Sequence, residues 1–313
     1  MAVIMDGKRL SDEIKAKVKS KVKELKGFGI NVGLAVLRVG ENPASTQYYR
    51  AILRACKNVG ILAFEYNLPE SSSVNEILNV VKDINHDERV NGLLVLFPLP
   101  KNINARRVVN EIIPEKDIDG LGSISVGRLA ADESSFQILK HGKYDLLNEV
   151  RFMPSVASFL PCTPFGVIRL LDYYGIDIKG KHAVVIGKSL AVGKPLSLML
   201  LAKDATVTVC HKSTVDLAHF TREADIICTA TGVRGLIKAD MVKEGAVVVD
   251  IGIIVLDDGR IVGDVDFEEV KEKASYITPV PGGVGPVTIA MLLENTVRSA
   301  QRNEFMKTPF MLE

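Results

Sequence analysis

The chain has 313 residues, 47% of them hydrophobic and 25% charged, which is enough for about two domains with sizeable cores. Thirty-nine basic residues nearly balance thirty-eight acidic ones, giving a net charge of +1, so nothing asks for nucleic acid or an anionic membrane as partner. No apolar run approaches the roughly 20 residues of a membrane-spanning helix. Residues 1–7 lack the basic and apolar regions of a signal peptide, and the four cysteines (Cys56, Cys162, Cys210, Cys228) form no C-x-x-C pair. The expectation is a cytoplasmic protein with reduced thiols and no metal site.

In chain order, Leu10, Ile14, Val18, Val22 and Leu25 recur at helical spacing with lysines between them, an amphipathic helix with a solvated basic face. Residues 32–39 read as a buried strand. Asn42-Pro43 is an N-cap followed by proline at the first helical position, opening a helix to about Val59. Residues 61–68 read as a strand. Ser73 and Glu76 form a capping box for a helix to about Asn85. Residues 91–97 are an apolar strand stopped by Pro98-Leu99-Pro100, and a helix follows over about 105–113. Strands alternating with helices predict βαβ units and a parallel sheet, with sites beyond the carboxyl ends of the strands. Those ends lie near residues 40–43 and 97–100.

Residues 130–160 mix charges, glycine and an apolar stretch with Pro154. A connection of that length is either a tolerated surface insertion or a flap or dimer contact. A helix is expected from 161–166 to about Tyr174. Strand 182–186 then runs through Gly187-Lys188-Ser189-Leu190-Ala191-Val192-Gly193 into a helix to about Leu201. Strand, glycine loop and helix is the layout of a dinucleotide site, with pyrophosphate at the helix N-terminus. The G-x-G-x-x-G pattern is absent, so an ordinary βα turn stays open. Strand 206–210 ends in His211-Lys212-Ser213-Thr214, without the acid that would bind a ribose 2′-hydroxyl. Lys188 and Lys212 would face a 2′-phosphate, favouring NADP over NAD, or else are solvated surface. His211 is assigned no role. Strands at 225–230 and 246–250 repeat the pattern, and 255–262 reads as a hairpin around Asp257-Asp258-Gly259. Residues 278–288 hold three prolines and three glycines. They predict a stiff loop with outward N–H groups before a helix over 287–300, suited to an anion or flat polar ligand, or a tight interdomain turn. The tail after Arg302 is expected to fray.

Several of these phrases resemble the methylenetetrahydrofolate dehydrogenase/cyclohydrolase family, the FolD type. Residues 277–286 (I-T-P-V-P-G-G-V-G-P) are similar to its C-terminal signature. So are 39–45 (V-G-E-N-P-A-S), 114–120 (P-E-K-D-I-D-G), 161–166 (P-C-T-P-F-G), a G-x-S-x-x-V-G variant at 187–193, and 263–266. The resemblance implies two α/β domains with a cleft between them. One is a βα-repeat folate domain over 1–129 and 286–313, and the other a Rossmann-like NAD(P) domain over 161–285, with 130–160 as insertion. It implies a homodimer and a tetrahydrofolate one-carbon derivative as substrate. Tyr48 would stack on the pterin and Asp119 would bind its polar edge, a chemistry that suits a carboxylate. On the residues alone, a core tyrosine at Tyr48 and an Asp-Gly turn at Asp119 stay open. Pro281, Gly282, Gly283, Val284 and Pro286 would shape the folate pocket. Gly187, Lys188, Ser189, Val192 and Gly193 would hold phosphates, with Lys212, Gly232 and Ile253 further along the cofactor.

Three positions depart from the family pattern. Ile52 stands one helical turn after Tyr48, where the family has a catalytic lysine. Leu96 replaces a glutamine, and Ile254 an asparagine. Arg54 and Lys57 point away from the Ile52 face. Hydride transfer relies on the cofactor and on positioning. Hydrolysis of the methenyl product needs positioned proton transfer, worth about 10²–10⁴-fold. The expectation is therefore an NADP-dependent dehydrogenase with weak or absent cyclohydrolase activity. The alternatives are the bifunctional enzyme with another group or a water in place of lysine, a non-enzymatic folate- or dinucleotide-binding paralogue, and a different pterin substrate.

Overall fold

The computed structural model describes residues 1–131, 139, 147 and 158–307. The expectations for most of the 130–160 insertion and for the last six residues lie outside the described residues. The chain forms two compact units: Met1–Asp12, Leu129–Lys143 and Thr163–Thr288 in one, Glu13–Arg128, Tyr144–Cys162 and Ile289–Glu313 in the other.

The second of these units holds a three-stranded parallel sheet of β2 (Gly33–Val39), β3 (Leu62–Leu68) and β4 (Gly92–Val95), in the order β3-β2-β4. Its helices are α2 (Pro43–Val59), α3 (Val74–His86), α4 (Ala105–Val109), most of α5 (Ser123–Ala131) and of α1 (Gly7–Gly27), and most of the last helix of the chain. Ser73 and Glu76 cap α3 reciprocally, with Ser73 N donating to Glu76 Oε2 at 2.7 Å. Ile77, Val81 and Ile84 on α3 pack into one cluster with Ala35, Leu37 and Leu93 of the sheet. Lys116 donates its ammonium to Ile84 O and Asp87 O at 2.8 and 2.7 Å, so a buried lysine closes the negative end of α3. Strand β4 is shorter than the expected 91–97, because the Leu96 N–H makes a last bond to Leu37 O and Pro98 has no N–H to continue.

In the other unit a six-stranded sheet, all parallel, has the order β1-β11-β8-β7-β5-β6. These are β1 (Val3–Ile4), β5 (His182–Ile186), β6 (Thr206–Cys210), β7 (Ile226–Thr229), β8 (Val247–Asp250) and β11 (Tyr276–Ile277). Residues 1–12 fall in this compact unit, where β1 pairs with β11. The order reverses at β5, so the crevice of this doubly wound sheet opens at the carboxyl ends of β5 and β7. The expected hairpin is present as β9 (Ile254–Val255) and β10 (Ile261–Val262). Helices α6 (Cys162–Tyr173), α7 (Gly193–Ala202), α8 (Leu217–Arg222) and α9 (Phe267–Val270) complete the elements before the last helix. That helix, α10 (Val284–Lys307), starts three residues earlier than expected and stays helical beyond Arg302. Pro286 in its first turn lacks an N–H that has no intrahelical acceptor there in any case. Among the described residues no helix is long and apolar enough to cross a membrane.

Candidate active site

On the folate side the site begins with the turn after Lys116. The Asp117 carboxylate accepts from Ser125 Oγ at 2.6 Å, Gly122 N at 3.0 Å and Leu121 N at 3.1 Å. Those bonds close the turn that carries Asp119. Gly120 has φ +66°, and a Cβ there would lie 2.4 Å from Phe159 O, so only glycine fits. Asp119 lies beside Cys162, whose thiol and N–H favour its ionised form. The thiol also lies 3.3 Å from Ile118 O, so its single proton serves one acceptor at a time. Asn295 donates to Ile118 O at 2.8 Å and sits 3.5 Å from Cys162 Sγ, fixing this corner from α10.

Burial, with the charge of Asp117 second, pushes the Asp119 carboxyl up to about 7 against the hydrogen bonds of Cys162. Burial also pushes Asp117 up, to about 6, although its donors oppose the rise. Burial and the nearby Asp119 raise Tyr48 well above its ordinary value, so the phenol stays protonated. Burial and Asp119 do the same to the Cys162 thiol. Tyr48 and Asp119 are half-buried. Ile52 is fully buried and Leu96 nearly so, whereas Arg54 and Lys57 are exposed on the outer side of α2. No cation therefore takes the place of position 52 from that helix.

The 279–283 segment is a closed turn rather than a row of outward donors. Gly283 N donates to Pro279 O at 2.9 Å, and Gly282 O accepts from Gly7 N at 3.0 Å. A Cβ on Gly7 would lie 1.8 Å from Gly283 O. Val284 is buried and, with Pro286, belongs to the first turn of α10. Pro281, Gly282, Gly283, Val284 and Pro286 belong to the six-stranded unit, and Tyr48 and Asp119 to the other.

At the carboxyl end of β5, Gly187 has φ +117° and a Cβ on it would meet Ala230 O at 2.6 Å. A Cβ on Gly193 would meet Gly187 O at 2.0 Å. Both glycines let the βα turn fold tightly against its neighbour, the close approach that a phosphate cradle needs. Ser189 Oγ accepts from Val192 N at 3.2 Å and Gly193 N at 3.3 Å, so it also builds the first turn of α7. Lys188 follows β5 and Lys212 follows the adjacent β6; both are exposed and, among the described residues, in no ion pair. The loop after β6 is closed by Thr214 Oγ1, which accepts from His211 N at 2.8 Å. The residues present thus fit a dinucleotide, and two cations where an acid would bind a free 2′-hydroxyl fit its 2′-phosphate. Gly232 (φ +71°) and Ile253 sit on exposed loops after β7 and β8.

Two domains follow one another in a matching order. Residues 5–119 match the tetrahydrofolate dehydrogenase/cyclohydrolase catalytic domain, and residues 161–304 its NAD(P)-binding domain. The chain belongs to the tetrahydrofolate dehydrogenase/cyclohydrolase family. It is 46% identical over 300 residues to the bifunctional protein FolD of Thermodesulfovibrio yellowstonii, covering 96% of this chain and 97% of that one. The crystal structure of the bifunctional FolD of Campylobacter jejuni is similar with a TM-score of 0.84 and 48% identity, over 97% of this chain and all of that one (100%). The Trypanosoma brucei FolD structure, complexed with NADP cofactor and inhibitor, has a TM-score of 0.86 at 33% identity, over 97% and 98% of the two chains. Within this family member, Cys162, Asn295 and a buried pair, Asp250 and Asp264, are the residues that sequence reasoning did not assign. Cys162 and Asp264 were visible only as members of family phrases, and Asn295 carried no signal.

Proposed function

We propose that this chain oxidises 5,10-methylenetetrahydrofolate to 5,10-methenyltetrahydrofolate with NADP⁺ as the oxidant. The observation that carries the reading is Asp119: a half-buried carboxylate at a tight turn, with only Cys162 among the described residues favouring its charged form. An ionised carboxylate accepts at about four positions, so it retains capacity for the paired N–H groups of an aminopyrimidinone edge. Tyr48, kept neutral, offers a ring face for the pterin. Gly187, Lys188, Ser189, Val192 and Gly193 would hold the pyrophosphate, Lys188 and Lys212 the 2′-phosphate, and Gly232 and Ile253 would flank the nicotinamide. When bound, the dinucleotide supplies the hydride acceptor, and the protein's part is to align two rings and exclude water.

For the second activity, the relatives named above are called bifunctional, which favours a dehydrogenase that also hydrolyses the methenyl product. That reading stands ahead of the expectation of weak or absent cyclohydrolase. Buried, apolar Ile52 and Leu96 are the specific observation behind the latter. In the bifunctional reading, proton transfer falls to Asp119, which titrates at about 7, near the operating pH. The homodimer implied by the resemblance and the cytoplasmic location expected from the scattered cysteines belong to the same reading. Two absorbance assays on one preparation test it. One follows NADP⁺ reduction with methylenetetrahydrofolate, the other decay of methenyltetrahydrofolate above the buffer rate. Both activities support the bifunctional enzyme. Reduction without accelerated decay returns the reading to a dehydrogenase alone. Ligand binding with neither activity would overturn the enzyme in favour of a binding paralogue.

A further inference from the structure

Asp250 ends β8, and Asp264 follows β10; both side chains are buried, Asp264 completely. Asp264 Oδ2 accepts from Thr229 Oγ1 (2.8 Å), Thr231 N (2.6 Å) and Thr231 Oγ1 (2.8 Å), and Asp264 Oδ1 from Val233 N (3.1 Å). Asp250 accepts from Gly252 N (2.9 Å), Asp264 N (3.1 Å) and Val265 N (2.9 Å). The donors that fill the two carboxylates are neutral N–H and O–H groups, so the pair is not a cation site. Each carboxylate instead pins one loop: Asp264 the 231–233 loop after β7, Asp250 the start of the 251–253 loop after β8. The Asp264 N–H to Asp250 bond ties the two anchors to each other. Glycine makes the approach possible, since a Cβ on Gly252 would lie 2.2 Å from Asp264 Oδ1 and one on Gly263 2.0 Å from Asp250 Oδ2. The pinned loops hold Val233 and Ile253 half in solvent, at 51% and 55% exposure, as an apolar edge at the carboxyl ends of adjacent strands.

We propose that Asp264, coupled to Asp250, is a positioning residue for the dinucleotide: it sets the spacing of the 231–233 and 251–253 loops between which the nicotinamide half binds. The inference rests on the dinucleotide reading above. Ordered loops present their contacts already in place, so the ordering cost is not drawn from binding. A loosened loop raises the dissociation constant of the dinucleotide while leaving folate binding alone.

The test uses the full chain and titrates NADP⁺ and NADPH by fluorescence or calorimetry, with melting followed in parallel. T231V removes one donor to Asp264, T231S keeps it, and D264N replaces an acceptor oxygen with an N–H₂ that faces other donors. T231V is expected to weaken NADP⁺ binding at least fivefold and T231S less than twofold, with the KM for the folate within twofold of wild type in both. D264N is expected to weaken binding at least tenfold; if it does not fold, the two Thr231 variants decide. Wild-type affinity in T231V, or a loss of kcat and melting temperature with the dinucleotide affinity unmoved, would overturn the proposal and leave a purely structural role. Failure of the wild-type chain to bind either form of the dinucleotide would remove the dinucleotide reading itself, and the proposal with it.

Discussion

Asp119 in one unit and Asp264 in the other are both carboxylates on loops, one half-buried and one fully buried, and they are treated oppositely. Four donor contacts fill Asp264, two of them from backbone N–H groups of one short loop. Asp119 has no such set, and among the described residues only Cys162 favours its charged form. A filled carboxylate spends its charge on fixing backbone, whereas a part-filled one keeps acceptor capacity for something that arrives later. Asp117 makes the comparison sharper, because it lies two residues from Asp119, is filled by Ser125, Leu121 and Gly122, and shapes the turn. The same residue type in one short phrase thus serves structure at one position and a ligand at another.

The largest expected effect breaks that contrast at its open end. D119N removes a charged acceptor from the folate edge. At about 1.5–3 kcal/mol for each hydrogen bond to a charged group, losing two lowers kcat/KM by roughly 10²–10⁴-fold. Stability should move the other way. The folded carboxyl titrates at about 7, above its unfolded value of about 4. The folded state therefore binds the proton more tightly, and ionising Asp119 costs stability as pH rises from about 4 to about 7, with the full penalty above that. D119N should melt several degrees above wild type at pH 8, with the difference gone near pH 4. Equal melting across that range would show that Asp119 is not held against its charge.

The same change at the filled neighbour should do the reverse. D117A leaves the Ser125 hydroxyl and two buried N–H groups without their acceptor, at about 1–3 kcal/mol for each. A loss of about 3 kcal/mol or more is expected by chemical denaturation. S125A, which removes a single donor, should cost about 1 kcal/mol and leave the folate KM unchanged. A D117A variant that kept wild-type stability but lost folate binding would reverse the assignment of the two aspartates.

The sequence made the repeating units legible because their signals are local. The Ser73–Glu76 capping box, the proline opening α2 and the turn from β5 through Gly187 to α7 each lie within a few residues. Two-residue β1 has no periodicity to read, and it is a strand only because Tyr276 and Ile277 lie beside it. Helix α8 begins after Asp216 in a left-handed conformation (φ +51°), which its residue type does not announce. The site divides in the same way. Asp119 and Tyr48 were readable through the resemblance. The environment that distinguishes Asp119 from Asp117 comes from Cys162 and Asn295, far along the chain, and no local pattern contains it. The extra turn of α10 before residue 287 was hidden by the glycines and prolines, which read as loop although a first helical turn tolerates them.

I52K probes what the apolar departures do. Ile52 is fully buried, so an ammonium placed there loses its hydration unless it reaches a partner. A loss of about 2–4 kcal/mol is expected by denaturation. If the missing lysine limits hydrolysis, cyclohydrolase turnover per folded molecule should rise at least tenfold while the dehydrogenase changes little. Unchanged hydrolysis would mean that the chain already has another route for the proton.

The smallest effect asks how much the sparse donors of Asp119 matter. The hydrogen bonds from Cys162 favour the ionised carboxylate and so work against burial. C162A removes the thiol and keeps the backbone N–H. A neutral hydrogen bond is worth about 1 kcal/mol, and one pH unit corresponds to about 1.4 kcal/mol. The acid limb of folate affinity should therefore move to higher pH by less than about one unit, with affinity at pH 8.5 nearly unchanged. C162S, which restores a donor of similar reach, should bring the limb back. A shift to lower pH in C162A would mean that the thiol holds the proton on Asp119 rather than helping to remove it. Asp119 would then be closer to a closed structural pair with Cys162 than to a carboxylate held open for the pterin.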